Sequence, residues 1–164
     1  MRNVTLILHD VRSTHNVGSL LRTAEGLGVQ KVYFSGYTPY PETAGDKRLP
    51  HISGKLTRQI HKTALGAELL IAWEPQPDIF KLIKTLNRQG YLIVALEQNE
   101  KSISLEQFKP DQQLALIVGN EVSGLTQEIL GACDKIIEIP MKGSKESFNV
   151  VQAAAIALYR LTAA

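Results

Sequence analysis

The feature that most constrains this chain is an alternation. Short apolar runs, too short to be buried helices, return again and again between segments of helical periodicity. Residues 4–8, 31–35, 68–73, 91–97, 114–118 and 135–139 are rich in Val, Ile, Leu and aromatics. Several are apolar almost without interruption, as strands covered on both faces must be. Between them, residues 16–27 place Val17, Leu20, Leu21, Ala24 and Leu27 on one helical face and stop at Gly28. Residues 78–89 form a second helical segment, opened by Pro77 and closed by Gly90. A last one spans 147–161, with Val151, Ala154, Ala155, Leu158 and Leu161 inward. Periodicity alone therefore predicts an α/β fold, a mainly parallel, doubly wound sheet flanked by helices. With no repeat, low-complexity tract or linker in 164 residues, one domain (1–164) is expected. The longest irregular stretch, 36–54, is read as a loop.

Composition removes several classes of function. At 44% hydrophobic and 21% charged residues the chain is ordinary for a globular protein. No apolar run is long enough to cross a bilayer, and the first residues lack the pattern of a signal peptide, so cytoplasm is the expected location and no membrane partner is expected. Cys133 is the only cysteine, which excludes an internal disulfide and reads as small core filling. His9, His15, His51 and His61 have no metal-ligand spacing, so no metal is expected. Gly119 and Gly124 are spaced like the start of a phosphate-binding loop, but Leu125 and Thr126 replace its Gly-Lys continuation. Gly26 and Gly28 end a helix rather than open one, so the dinucleotide fingerprint fails and a Rossmann-like oxidoreductase is disfavoured.

Charge is unevenly placed. Residues 47–62 carry Lys47, Arg48, Lys55, Arg58 and Lys62, two histidines and no acid. Such a run supplies phosphate contacts if it lies on one face, and is otherwise a solvated surface. Tyr37 and Tyr40, just upstream, could stack on exposed bases or pack the loop.

Two turns then stand out, IVGNEVSGL (117–125) and IPMKGSKESFN (139–149), each directly after a strand-like run. In open α/β sheets ligands bind beyond the carboxyl ends of strands, so both turns point to one shared pocket. The second opens a helix, where free N–H groups attract a polar or anionic group. A third polar turn lies at 13–22. Taken singly, these residues have plainer explanations. Asn16 and Ser147 suit helix N-caps, Glu121 a loop acid, Arg22 a solvated helix face, and Gly119, Gly124 and Gly143 turn geometry.

In series, HNVGSLLRTAEGLG, LIVGNEVSGL and IEIPMKGSKESFNVVQAAAIALYRL resemble the three motifs of the SpoU-type (TrmH-like) RNA ribose 2′-O-methyltransferases of the SPOUT superfamily. The stretch HKTALGAE (61–68) resembles that family's middle region. The resemblance implies a deep trefoil knot in the C-terminal half, S-adenosylmethionine as cofactor, and a homodimer whose active sites draw on both subunits. It implies RNA as substrate, with transfer RNA favoured over ribosomal RNA. Matched position by position, Asn16, Arg22, Glu121, Ser147 and Asn149 are the catalytic set. Leu96, Gly119, Ile139, Met141 and Phe148 are the cofactor contacts, Phe148 standing where Leu is more usual. Without an N-terminal RNA-binding extension, Lys47, Arg48, Lys55, Arg58, Lys62, Lys142 and Lys145 would grip RNA directly. The rival reading on the same fold is a non-catalytic RNA-binding protein.

Methyl transfer to a ribose hydroxyl needs alignment and a proton sink, but no metal or redox group. The family position held by Arg22 is credited with activating the hydroxyl. A guanidinium is always protonated in practice, so Arg22 is better suited to grip a neighbouring phosphate and stabilise charge developing on the oxygen. Glu121 or water is then the expected proton acceptor.

Overall fold

A computed structural model describes residues 3–163. Seven strands form one sheet: β1 (Val4–His9), β2 (Lys31–Ser35), β3 (Trp73–Pro75), β4 (Leu92–Leu96), β5 (Ile103–Ser104), β6 (Leu114–Val118) and β7 (Lys135–Glu138). Their order is β3-β2-β1-β6-β4-β7-β5, and every pairing is parallel. Five helices cover it: α1 (Thr14–Gly26), α2 (Pro50–Ala64), α3 (Ile79–Arg88), α4 (Gln127–Ala132) and α5 (Val150–Thr162).

The continuous apolar runs are explained by the two cores they serve. Along β6, Leu114, Leu116 and Val118 face a core shared with α1, α2 and α5. Ala115 and Ile117 face the opposite core, closed by Leu82, Ile83 and Leu86 of α3 and Ile129 and Leu130 of α4. Successive side chains of a strand point to opposite faces, so a strand buried on both sides cannot alternate in polarity. After β4 the chain runs to the edge at β5, returns to β6 on the far side of β4, then crosses back to β7. That order is compatible with the knotted C-terminal half implied by the resemblance.

Several sequence-based boundaries are corrected. Residues 68–73 are not one strand: a 3₁₀ turn occupies Ala67–Leu69 and β3 begins only at Trp73. Glu68, buried there, binds His61 and the Gly66 N–H, a role for an acid that an extended strand would not provide. The 36–54 loop ends earlier than expected, because α2 starts at Pro50, a favoured first helical residue. Residues 126–134 contain the short helix α4, capped by Thr126. The last helix begins at Val150, with Asn149 rather than Ser147 as its N-cap. Ser13, not Asn16, caps α1. Gly18 lets α1 meet α2 closely, since a Cβ there would lie 2.2 Å from the Ile60 carbonyl oxygen.

Candidate active site

The carboxyl ends of β4, β6 and β7 open into a half-enclosed cleft. Leu96, Gly119, Glu121, Ile139, Ser147 and Phe148 line it, together with Glu97, Gln98, Asn120 and Glu138. The first six were singled out from sequence, Leu96, Gly119, Glu121 and Ile139 at or just after their strands, and Ser147 and Phe148 in the third motif's loop, where Phe148 is 38% exposed. Met141 is half-buried but does not line the cleft.

Glu121 is the centre of the site. Its Oε1 accepts hydrogen bonds from the Asn16 side-chain amide (2.9 Å) and the Ser13 N–H (3.1 Å), and its Oε2 accepts from the Arg12 N–H (3.0 Å). One carboxylate thus ties the turn after β6 to the start of α1, across more than a hundred residues of chain. Burial pushes its pKa up, but the hydrogen bonds from Arg12, Asn16 and Ser13 outweigh burial and hold it below the ordinary value. A carboxylate held in its charged form by three donors is a poor base. These bonds suit Glu121 to positioning Asn16 and the Arg12–Ser13 backbone rather than to taking a proton.

Neighbouring groups complete the frame. Asn120 donates to the Asp10 carbonyl and the Tyr37 hydroxyl, while its Oδ1 accepts from the Val122 and Ser123 N–H groups. Glu97 Oε2 accepts from the Leu125 N–H (3.0 Å), and Gln98 donates to the Glu146 carbonyl (2.9 Å). Glu97, Gln98 and Asn120 were missed by sequence reasoning. Their signal was present in their positions, directly after β4 and next to Glu121.

The remaining predicted residues are distributed as follows. Asn149 uses its Oδ1 to cap α5 through the Val151 N–H (2.9 Å), leaving its amide N–H groups for other work. Arg22 is exposed and makes no ion pair among the described residues. It sits six residues beyond Asn16, about 240° around the helix, so it does not share Asn16's face. Lys47, Lys142 and Lys145 are exposed in loops. On α2, His51, Lys55, Arg58 and Lys62 are all exposed, and their 3–4 residue spacing puts them in one stripe. Arg48 does not belong to that set. Its guanidinium bonds Asp46 and the Tyr40 and Pro41 carbonyls and lies over the Tyr40 ring, 3.8 Å from the centroid. Arg48 is a brace of its loop.

Other reactive-looking groups are inert. Burial, with Asp134 adding to it, pushes the Cys133 thiol up to about 12, so no thiolate nucleophile exists. His9 lies between Asp10 and Ser35 in an order like that of a nucleophilic triad, but Ser35 is fully buried and no substrate can reach it. Among the described residues no cluster of acids, histidines or cysteines could hold a metal, and no helix is long and apolar enough to cross a membrane.

A parallel sheet with a cleft beyond its strand ends, rimmed by two glycine-bearing turns, defines an α/β architecture whose cleft is placed where such sheets take a small ligand, without a phosphate-binding loop. The chain belongs to the SpoU rRNA Methylase family, which matches residues 3–159. It is 31% identical to the tRNA (guanosine(18)-2′-O)-methyltransferase of Borreliella burgdorferi over 158 residues, 96% of this chain and 65% of that protein. The enzyme of the same description from Escherichia coli K12 is 27% identical over 96% of this chain and 62% of its own length. The chain thus spans less than two thirds of those relatives. Among solved structures, the AdoMet-bound rRNA methyltransferase of Sinorhizobium meliloti superimposes with a TM-score of 0.80 at 22% identity, over 96% of this chain and 55% of that one. The A. aeolicus TrmH/SpoU tRNA modifying enzyme also gives 0.80, at 23% identity, over 99% and 75%.

Proposed function

We propose that this chain is the catalytic domain of an S-adenosylmethionine-dependent RNA ribose 2′-O-methyltransferase, acting in the cytoplasm on transfer RNA in preference to ribosomal RNA. The observation that carries this reading is the Glu121 crossing, which ties the Asn16 side chain to a carboxylate that lines the same cleft as Ile139. Relatives named as tRNA methyltransferases support the substrate class.

The cleft suits the cofactor. Leu96, Ile139 and Phe148 give apolar walls for an adenosine, and Glu97, Glu121 and Glu138 line it while no Lys or Arg does so among the described residues. An acidic rim favours a cationic ligand. When bound, S-adenosylmethionine supplies an electrophilic methyl group. Leu96, Gly119, Ile139 and Phe148 would hold it, and the methyl group it would supply would go to a ribose 2′-oxygen, the hydroxyl proton passing to water. Glu121 holds Asn16 and the Arg12–Ser13 backbone in place, Ser147 and the free amide of Asn149 orient the ribose, and Arg22 grips an adjacent phosphate.

Because Arg22 faces away from Asn16 within one chain, the second part of the reading is a homodimer in which Arg22 serves the partner's cleft. Ile156 and Tyr159, exposed on α5 beside α1, offer an apolar face for that association. The stripe on α2 and the loop lysines 47, 142 and 145 supply phosphate contacts.

Incubation with bulk RNA and labelled cofactor, followed by mapping of alkali-resistant linkages, tests the reaction, since a 2′-O-methyl group blocks the hydroxyl that drives backbone cleavage. RNA binding without label transfer would leave only the non-catalytic alternative. Arg22→Lys tests the grip: full activity across pH would remove the need for a bidentate guanidinium.

A further inference from the structure

Beside the cleft lies a second, more open groove, lined by Arg12, His15, Gly36, Tyr37, Leu56 and Gln59 among others. Tyr37 is 60% exposed there, yet it is not a loose surface side chain. Its hydroxyl accepts a hydrogen bond from the Asn120 amide (2.9 Å), and its N–H donates to Asp10 Oδ1 (3.0 Å). Asn120 is almost fully buried and uses every donor and acceptor it has, so it cannot turn away. The preceding Gly36 is left-handed (φ +61°), and a Cβ on it would fall 1.8 Å from Asp10 Oδ1. Asp10 itself is left-handed (φ 55°), a conformation that costs a non-glycine residue energy and persists where the surroundings impose it. Two unusual backbone positions and a buried amide therefore fix a ring whose face is left open.

Tyr40, three residues on, shows the alternative. It packs on Phe34 (6.1 Å between centroids) with the Arg48 guanidinium already over its face. Only Tyr37 of the pair is free to receive a ligand. The groove also shares its wall with the candidate active site, because Arg12 and Ser13 line it and donate their N–H groups to Glu121. Its charge is positive: Arg12 is exposed at one side, next to the His15 ring, and α2 contributes Leu56 and Gln59 beside its stripe of Lys55, Arg58 and Lys62. A rigid aromatic face flanked by cations fits an unpaired nucleobase with its phosphates, and a ring ordered in advance loses little freedom on stacking.

We propose that Tyr37 is the stacking platform for one unpaired base of the RNA substrate, seated next to the nucleotide whose ribose is modified. This rests on the RNA reading above and adds a subsite to it. The test compares binding of a short oligoadenylate with binding of the same sugar–phosphate chain lacking bases, by fluorescence anisotropy, for wild type, Tyr37→Ala and Tyr37→Phe. Wild type is expected to prefer the oligoadenylate by about 5- to 150-fold, the range for one stacked base. Tyr37→Ala should abolish that preference while binding the base-free chain as before, and Tyr37→Phe should keep it. A merely structural role for Tyr37 would weaken both ligands together and leave their ratio unchanged. A ratio unaltered in Tyr37→Ala, or one lost equally in Tyr37→Phe, overturns the platform. So does a wild type that methylates bulk RNA without distinguishing the two oligomers, and in that case the methyltransferase reading survives. A wild type that neither binds the oligomers nor methylates bulk RNA removes both.

Discussion

The turn after β6 and the loop after β7 border the same cleft but are held very differently. In the first, Glu121 is bound by Arg12, Ser13 and Asn16, Asn120 by four polar partners, and the Leu125 N–H by Glu97. In the second, residues 142–149 are all exposed, tied by the Gln98 bond to the Glu146 carbonyl and the Asn149 cap. The first is a finished frame. The second has few buried groups to lose when it moves, so it is the part of the site able to adapt to a ligand. Damage to the frame should cost both stability and activity, whereas damage to the loop, the Asn149 cap apart, should cost activity alone.

The largest effect is expected from Glu121→Ala. It leaves the exposed Arg12 N–H, the part-buried Ser13 N–H and the Asn16 amide without their acceptor, a loss of about 1–3 kcal/mol in unfolding free energy. Displacing Asn16 by an ångström should lower methyl transfer by about 100-fold or more. Ser147→Ala should also impair transfer but shift urea unfolding by less than about 0.5 kcal/mol. If Ser147→Ala unfolds as easily as Glu121→Ala, the two regions do not differ as described.

The same contrast can be drawn with one residue type. Gly124 is left-handed (φ +65°), and a Cβ there would sit 2.2 Å from Glu97 Oε2, while one on Gly143 meets nothing within 4 Å. Gly124→Ala should lose about 1–2 kcal/mol from backbone strain alone, and more from the displaced carboxylate. Gly143→Ala should change thermal stability hardly at all. Equal melting temperatures for the two variants would show that the frame tolerates what its geometry forbids.

How far the sequence could be read follows the same division. The strands with two buried faces announced themselves through unbroken apolar runs; β3 was placed too early in the chain, and β5, with two residues, carries too little pattern to be seen. Residues 68–73 misled because Leu69, Leu70 and Ile71 mimic a buried strand, although Leu69 and Leu70 are in fact exposed. Within the site, Leu96, Gly119, Ile139 and Ser147 were legible because a motif names positions after strands. Glu121 was found but its work was not. Nothing local reveals that its partners are Arg12, Ser13 and Asn16, since those contacts exist only once α1 and β6 are assembled. Arg48 failed for the converse reason: a positive charge in a basic run says nothing about an acid two residues away.

Asn149 separates capping from chemistry. Asn149→Ala should cost about 1 kcal/mol through the lost α5 cap. Asn149→Asp retains the capping oxygen and should unfold like wild type, yet it lacks the amide N–H. Loss of methyl transfer in Asn149→Asp would assign that amide to the substrate. Full activity would make Asn149 a cap and nothing more, bringing the loop closer in character to the frame.

The smallest effect concerns the support beneath the frame. Burial lowers the pKa of His9 from its ordinary 6.5, outweighing the attraction of Asp10, so the ring is neutral beside Ser35 in the fold. Below 6.5 the unfolded chain takes up a proton that the folded one resists, so the unfolded state binds more protons and stability falls as pH falls. Urea unfolding should therefore weaken as pH drops below 6.5, by at most about 1.4 kcal/mol per pH unit for this one group. His9→Gln should flatten that slope. Glu121 acts in the same direction further into acid, its contribution being present above its ordinary 4.5 and lost as pH falls through its lowered pKa. Superimposable profiles for wild type and His9→Gln would mean that His9 charges as readily inside the fold as outside it.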